Sequence, residues 1–290
     1  MYLIIANPVA GKGRSLKTLS LATKLLDKAC AKYKIIKTRY PGHATQIASD
    51  AVKRGEKNIL ALGGDGTVLE VAKGLLNTDS VLGIIPGGTG NDFIRSLNVS
   101  NNLEAAIENI LAGNTKKVDV GMANDNYFLN VAGTGFDVCV VEYTKKTNRF
   151  FTGMPAYYLA VLISILKYKG QTMTIVANGQ SITKKLMLIA IANGKQYGGG
   201  MKVAPMAKPD DGIFHITTID MPSKLKILFM LPRFIKGQHE KFTEIKSFVC
   251  DEIEVLCENT LSINMDGDLI GTTPVKFKLL KSALNVFSPV

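Results

Sequence analysis

The sequence predicts an α/β domain with a parallel sheet flanked by helices, followed by a mostly antiparallel, β-rich domain. Three observations lead there. Over roughly the first 120 residues, short apolar runs alternate with segments of helical spacing, the pattern of a parallel sheet with crossover helices. Near Val120 that alternation gives way to strand after strand. The length of 290 residues, 46 % hydrophobic and 20 % charged, suits two packed domains and excludes wholesale disorder.

The elements follow in order. Tyr2–Ala6 reads as a strand leading into a glycine-rich loop. Residues 16–33 carry apolar residues at helical spacing, from Leu16 and Leu19 to Leu26 and Ala29. Lys34–Thr38 is a second strand. Ala44–Arg54 is a helix closed by Gly55. Asn58–Leu62 is a strand and Val68–Leu76 a helix. Val81–Ile85 is a strand, and Leu103–Leu111 a helix ended by Gly113. The predicted first domain spans 1–123.

The second domain, 124–290, is expected to be strand-rich, its last strand a candidate to return to the first domain. Tyr127–Ala132 and Val138–Tyr143 read as strands. Thr172–Ala177 and Ile182–Ala192 flank Asn178-Gly179, a pair that suits the positive φ angles of a type I′ hairpin. Ile213–Ile219, Glu252–Cys257, Leu261–Met265, Val275–Leu280 and Leu284–Phe287 continue the series. Two apolar helices interrupt it, Ala156–Lys169 and Lys224–Ile235, the second broken or bent by Pro232.

Composition narrows the class. No apolar run approaches the roughly 18 residues of a membrane span. The N-terminus has no basic segment before its short apolar run, so a soluble, unexported, cytoplasmic chain is expected. Cys30, Cys139, Cys250 and Cys257 are scattered without a CxxC pair, and only three histidines are present. A disulfide framework and a thiolate or histidine metal centre are not expected. The net charge of +11 is spread over both halves. It favours an anionic partner, whether nucleotide, nucleic acid or membrane surface, with a solvated basic surface as the alternative. No nucleic-acid-binding motif is visible. The sequence leaves a homodimer open.

Three glycine-rich loops follow three strands of the first domain. Asn7-Pro8-Val9-Ala10-Gly11-Lys12-Gly13-Arg14-Ser15 enters a helix, so its N–H groups suit an anion; an ordinary β–α turn fits as well, and the spacing is not that of a Walker A loop. In Gly63-Gly64-Asp65-Gly66-Thr67, Thr67 and Glu70 read as a capping box, while Asp65 could orient hydrated Mg²⁺ or serve only the turn. In Pro86-Gly87-Gly88-Thr89-Gly90-Asn91-Asp92, Asp92 could cap a helix starting at Phe93. Three such loops on successive strand ends would form a concave surface lined by N–H groups, suited to a phosphate chain.

Gly63-Gly64-Asp65-Gly66-Thr67 resembles the signature shared by the phosphofructokinase, NAD kinase and diacylglycerol kinase superfamily. The first and third loops resemble those of the diacylglycerol kinase catalytic domain, found in bacterial DgkB- and YegS-type lipid kinases and in sphingosine and ceramide kinases. Gly133-Thr134-Gly135-Phe136-Asp137, Asn193-Gly194 with Tyr197-Gly198-Gly199-Gly200, Pro209-Asp210-Asp211-Gly212, Gly237 with His239, and Met265-Asp266-Gly267-Asp268 extend the resemblance over nearly the whole chain.

The resemblance implies an NAD kinase/phosphofructokinase-like first domain and transfer of the ATP γ-phosphate, with Mg²⁺, to a lipid hydroxyl. A diacylglycerol-like acceptor would give phosphatidic acid. It implies a nucleotide site made of Asn7, Pro8, Val9, Ala10, Gly11, Lys12, Thr38, Gly63, Gly64, Asp65, Gly66, Thr67, Val68, Leu69, Thr89 and Asp92, with Asp65 holding Mg²⁺ through water. A structural Mg²⁺ is implied at the Asp211 carboxylate and the Lys208 and Ile213 carbonyls, where an ordinary turn is the alternative. The family's Asp-Gly-Glu reads here Asp266-Gly267-Asp268, so Asp268 stands where the family has its glutamate base, one methylene shorter. Both aspartates also fit a hairpin turn. Asp266 is expected to orient the loop or bind nearby backbone.

A lipid acceptor implies peripheral contact with an anionic inner membrane face. Phe150, Phe151, Met154, Tyr157, Tyr158, Leu159, Leu162, Ile163 and Leu166, flanked by Lys145, Lys146, Arg149, Lys167 and Lys169, could lie at an interface, although core positions are expected for most. Two alternatives stand beside the lipid kinase. One is an NAD kinase-like nucleotide kinase, and the other a non-catalytic nucleotide- or lipid-binding regulator.

Overall fold

The computed structural model describes residues 1–88, 90–147, 154–239 and 241–289, and of 154–156 the backbone alone. Thr89, Arg149, Phe150 and Phe151, and the side chain of Met154, lie outside the described residues. The chain divides into two compact units. Unit 1 is Met1–Val120 with Lys208–Asp210 and Leu280–Val290; unit 2 is Gly121–Ala207 and Asp211–Leu279.

In chain order, unit 1 contains β1 (Tyr2–Ala6), α1 (Arg14–Lys28), β2 (Tyr33–Lys37), α2 (His43–Lys53), β3 (Asn58–Gly63), α3 (Asp65–Leu75), β4 (Val81–Pro86), α4 (Asp92–Ser96), α5 (Leu103–Ala112) and most of β5 (Thr115–Ala123). Strands β1 to β4 are parallel in the order β4-β3-β1-β2. The central strands are apolar along their buried length because helices cover both faces. Ile4, Leu26, Leu60, Leu62, Ile85 and Ile107 pack on one face, each fully buried aliphatic chain worth about 2 kcal/mol. After β1 the chain steps one way along the sheet, to β2. From β3 it continues the other way, so β1 and β3 meet at the switch point where open α/β sheets form a crevice.

Unit 2 adds β6 (Asn126–Phe128), β7 (Val131–Gly135), α6 (Phe136–Thr147), α7 (Met154–Lys167), β8 (Gln171–Ala177), β9 (Gln180–Ala192), β10 (Phe214–Asp220), α8 (Lys224–Ile235), β11 (Ile245–Cys250), β12 (Glu252–Cys257), β13 (Ser262–Met265), β14 (Asp268–Thr272) and the start of β15 (Val275–Phe287). Its pairings are antiparallel, in the order β14-β13-β7-β9-β8-β12-β15, with β10 between β9 and β11. The second half of β9 separates two cores: Leu186, Ile189 and Ile191 face one, Met187, Leu188 and Ala190 the other. Asn178 and Gly179 turn β8 into β9 with φ of 50° and 72°, the type I′ geometry that their side chains permit.

Several expectations are corrected. Residues 138–143 are helical, not a strand. Asp137 in the first turn and Lys145 and Lys146 in the last complement the helix dipole, which outweighs a local run of β-branched residues. The segments 275–280 and 284–287 form the single strand β15, which kinks at Ser282 (φ 52°), where the Ser282 N–H donates to Asp119 at 2.7 Å, and ends in unit 1 parallel to β4. Strands β5 and β11 had no expectation attached. Thr67 and Glu70 do not form a capping box: the Glu70 carboxylate instead accepts the N–H groups of Gly42 (2.9 Å) and Ala44 (3.2 Å) at the start of α2. On α7 the core expectation fails for most of the described stripe. Tyr158, Leu159, Leu162 and Leu166 are exposed, while Ala160, Val161, Ser164 and Ile165 take the buried face. Among the described residues no helix is long and apolar enough to cross a membrane.

Candidate active site

The three glycine loops follow β1, β3 and β4, three neighbouring parallel strands, at their carboxyl ends. Their backbones touch. The Gly87 N–H donates to the Gly63 carbonyl at 2.9 Å, and a Cβ on Gly88 would stand 2.4 Å from Gly64 Cα. A Cβ on Gly11 would stand 2.5 Å from the Gly87 carbonyl oxygen. Glycine is required here because backbone lies on backbone. Gly11, Lys12 and Gly13 all have positive φ, so the first loop turns sharply and leaves the Lys12 side chain exposed.

Asn7 joins the first two loops. Its Nδ2 donates to Thr67 Oγ1 at 3.1 Å, its Oδ1 accepts the Val9 N–H, and its carbonyl accepts the Ser15 hydroxyl at 2.6 Å. Asn7 and Thr67 therefore shape the loops. Pro8, Val9, Ala10, Gly64, Gly66 and Asp65 stay at least partly open to solvent, whereas Val68 and Leu69 are buried in α3. Thr38 follows β2, where its N–H donates to the Ala6 carbonyl at 2.9 Å.

Asp65 opens α3. Its Oδ1 accepts the Phe93 N–H at 3.3 Å, so Asp65, and not Asp92, caps the short helix α4. Asp92 is buried and pairs with Arg95 at 3.1 Å. Burial raises the Asp65 pKa, N–H groups of Phe93, Asp92 and Asn91 lower it, and the Asp92 charge raises it further. Two carboxylates repelling each other at the ends of the second and third loops are fitting oxygen donors for a hydrated Mg²⁺ carrying phosphate oxygens.

At the implied structural metal site, Asp211 Oδ1 accepts the Ile213 N–H at 3.3 Å and its Oδ2 lies 2.9 Å from His215 Nε2. Protein donors thus engage both oxygens. Among the described residues, no group of three or more His, Cys, Asp and Glu side chains is placed to hold a metal.

In unit 2, Asp266 and Gly267 form the turn between β13 and β14, with φ of 51° and 99°. The Asp266 carboxylate accepts the N–H groups of Leu129 (2.6 Å), Asn130 and Val131 (both 3.0 Å), which fixes the turn to the start of β7. Asp268, the first residue of β14, is exposed. Gly267 and Asn264 also form part of the wall of an apolar cavity of about 100 Å³, lined mainly by side chains such as Val140, Val161, Met187, Ile227, Met230 and Phe234.

Sequence reasoning assigned no role to Asp137 and Asn264. Asn264 Nδ2 donates to Asp137 Oδ2 at 3.0 Å, and Asn264 Oδ1 accepts the Gly267 N–H at 3.0 Å, so the pair braces the turn that carries Asp268. A lone Asp at the head of an apolar run was the available signal. Burial pushes the Asp137 carboxyl up to about 6, with the Asn264 bond opposing it; the phenols of Tyr168 and Tyr197 feel its charge. A raised folded-state pKa stabilises the fold at acid pH, and that contribution, about 3 kcal/mol, is lost as pH rises from about 4 to about 6. Asp137→Asn has the same shape and no charge. In urea unfolding at several pH values it is expected to lack that slope and to exceed the parent in stability at neutral pH. An unchanged slope would assign the titration elsewhere.

Comparison with known proteins covers both units. Residues 1–123 match the diacylglycerol kinase catalytic domain, and residues 130–288 match the YegS C-terminal NAD kinase beta sandwich-like domain. A protein named diacylglycerol kinase from Mycobacterium tuberculosis (strain CDC 1551 / Oshkosh) is 30% identical over 98% of this chain and 94% of its own. One of the same name from Staphylococcus aureus (strain MRSA252) is 30% identical over 99% and 91%. A crystal structure of a diacylglycerol kinase from Bacillus anthracis str. Sterne superimposes with a TM-score of 0.77 at 26% identity, over 99% of this chain and 96% of the other. A second structure from that organism reaches 0.83 at 28% identity over the same shares. Sequence and fold agree from end to end, and the chain belongs to the diacylglycerol kinase family.

Proposed function

We propose that this chain is an ATP- and Mg²⁺-dependent lipid kinase that phosphorylates the hydroxyl of a diacylglycerol-like lipid, giving a product such as phosphatidic acid. The observation that carries this reading is the apolar cavity of unit 2, whose wall includes Gly267, the neighbour of Asp268. An acceptor with hydrocarbon chains suits those walls; the polar surface of NAD does not. The family relationship supports the same reaction class.

Phosphoryl transfer depends on positioning and charge neutralisation. In this reading the N–H groups of the first and third loops cradle phosphate oxygens, and Lys12 and Thr67 lie with them. Mg²⁺ would neutralise phosphate charge when held by Asp65, with Asp92 close by. Asp268 takes the proton of the lipid hydroxyl. The exposed carboxylate needs no partner to be freed before it can act, and Asp266 keeps its turn in place. Because the donor is ATP, the cytoplasmic face of the membrane is the proposed workplace.

The test offers labelled ATP with dioleoylglycerol, a sphingoid base and NAD side by side in mixed micelles. Label in phosphatidic acid is the expected result. Label on NAD would move the chain to the nucleotide kinases. Nucleotide binding without transfer to any acceptor would favour the non-catalytic regulator.

A further inference from the structure

The wall of the unit 2 cavity is apolar with few exceptions. Helices α7 and α8 and strands β9 and β10 contribute side chains such as Val161, Met230, Leu188 and Ile219, while α6 contributes Asp137 and β13 contributes Asn264. Asp137 is the one carboxyl among the described lining residues. Its two oxygens are not equivalent. Oδ2 accepts from Asn264 Nδ2 at 3.0 Å, and the Asn264 amide cannot flip, because its Oδ1 accepts the Gly267 N–H. Asp137 Oδ1 is closed off from solvent and, among the described residues, has no hydrogen-bond partner. Buried polar atoms are nearly always paired, since no water is there to replace the lost bond. An unpaired carboxyl oxygen on a side chain of a cavity wall is available to a ligand group.

The surroundings decide which group. No lysine, arginine or histidine is among the described residues that line the cavity. The titratable groups acting with Asp137 are the phenols of Tyr168, just after α7, and Tyr197, beyond β9; burial holds both above their ordinary value, so they stay neutral. Burial likewise raises the Cys139 thiol on α6. The Asp137 carboxyl itself stands at about 6, pushed up by burial against the pull of Asn264 and of the Val138 and Asp137 N–H groups. Hydrocarbon entering the cavity would favour the uncharged form further. Because Oδ2 is taken as an acceptor, the proton belongs on Oδ1, and a carboxylic acid kept neutral by an apolar site is a hydrogen-bond donor. Its complement is an acceptor oxygen set in hydrocarbon, which is what the carbonyl of an acyl ester provides.

We propose that Asp137 reads the ester linkage of the lipid, its protonated Oδ1 donating to an ester carbonyl lodged in the cavity of unit 2. Asn264 ties Asp137 to the Gly267 turn, so the same contact would register the ester against the turn that carries Asp268. This rests on the lipid kinase reading for the place of the acceptor, and it adds the group by which the acceptor is selected: ester-linked over ether-linked chains.

The experiment is calorimetric binding to the whole chain, without ATP, at pH 5.5 and pH 7.5. The probes are dioctanoylglycerol, its ether analogue dioctylglycerol, which lacks carbonyls, and sphingosine, whose amine would pair with a carboxylate. For a carboxyl at about 6, the neutral form falls from about three quarters at pH 5.5 to about 3 % at pH 7.5. The ester should therefore bind at least ~10-fold more weakly at the higher pH. At pH 5.5 it should bind at least ~10-fold more tightly than the ether, which leaves the donor unpaired. Asp137→Asn keeps an oxygen for Asn264 and puts a permanent N–H donor in place of Oδ1. It should bind the ester equally at both pH values, and at pH 7.5 at least ~10-fold more tightly than the parent. Asp137→Leu should bind ester and ether alike; should it fail to fold by thermal unfolding, Asp137→Asn decides alone. The parent's pH slope persisting in Asp137→Asn overturns the proposal. So does equal binding of ester and ether by the parent, or no ester binding at pH 5.5. Sphingosine binding that strengthens with pH and is lost in Asp137→Asn overturns it too, because the group then acts as a carboxylate. Ester binding as expected with no transfer from ATP to any lipid sinks the kinase reading and leaves the ester contact standing.

Discussion

Asp65→Asn is expected to lower phosphoryl transfer at least ~10³-fold, a loss of about 4 kcal/mol of transition-state stabilisation, in a protein that remains folded. The two effects separate for a structural reason. Asparagine keeps the oxygen that accepts the Phe93 N–H and so keeps the cap of α4. It also removes a charge that burial and Asp92 disfavour, which offsets the weaker hold on the Asp92 and Asn91 N–H groups. What disappears is the anionic oxygen that would hold a hydrated Mg²⁺ against phosphate. Kinetics across a Mg²⁺ titration, with thermal unfolding alongside, checks it. Near-normal turnover would remove Asp65 from the mechanism, and lost activity with lost folding would reduce it to a cap.

Asp268→Ala should cost between ~10² and ~10⁴ in turnover, the usual worth of a general base, with ATP affinity unchanged. Asp268→Glu should stay active. The residue is exposed at the start of β14, so a longer side chain meets no packed wall there. The extra methylene adds about 1.5 Å of reach toward the acceptor hydroxyl. Asp266→Ala is the contrasting variant. It strips the acceptor from three backbone N–H groups, each orphaned donor costing about 1–3 kcal/mol where it is buried, so it should unfold at markedly lower urea. Full activity of Asp268→Ala with a working acceptor would place the base elsewhere. Equal destabilisation by Asp266→Ala and Asp268→Ala would make both aspartates turn residues.

Much of the architecture was legible because it is written in local periodicity and punctuation. The central parallel strands of unit 1 are short, mostly apolar runs, and Asn178-Gly179 specifies its hairpin through backbone angles that other residues resist. The glycine loops were legible as unusual for the same reason. Residues 138–143 were misread because β-branched residues suit either state, and only helix-end charges and packing on the second half of β9 decide between them.

The sequence by itself determined the fold class, the family resemblance and the three loops that meet at the ends of β1, β3 and β4. Tertiary structure alone decided what each polar side chain does. Glu70 caps α2 and not its own helix, Asp65 caps α4, and Asp266 gathers three N–H groups from the start of β7. Asn264 carries the hold of Asp137 to the turn bearing Asp268. It also decided that the outer faces of α7 and α8 stay open while their inner faces line a cavity. The reason is physical. Periodicity and turn chemistry act over a few residues, whereas a half-buried carboxylate takes whichever N–H groups the fold delivers, here from as far as 137 residues away in the chain.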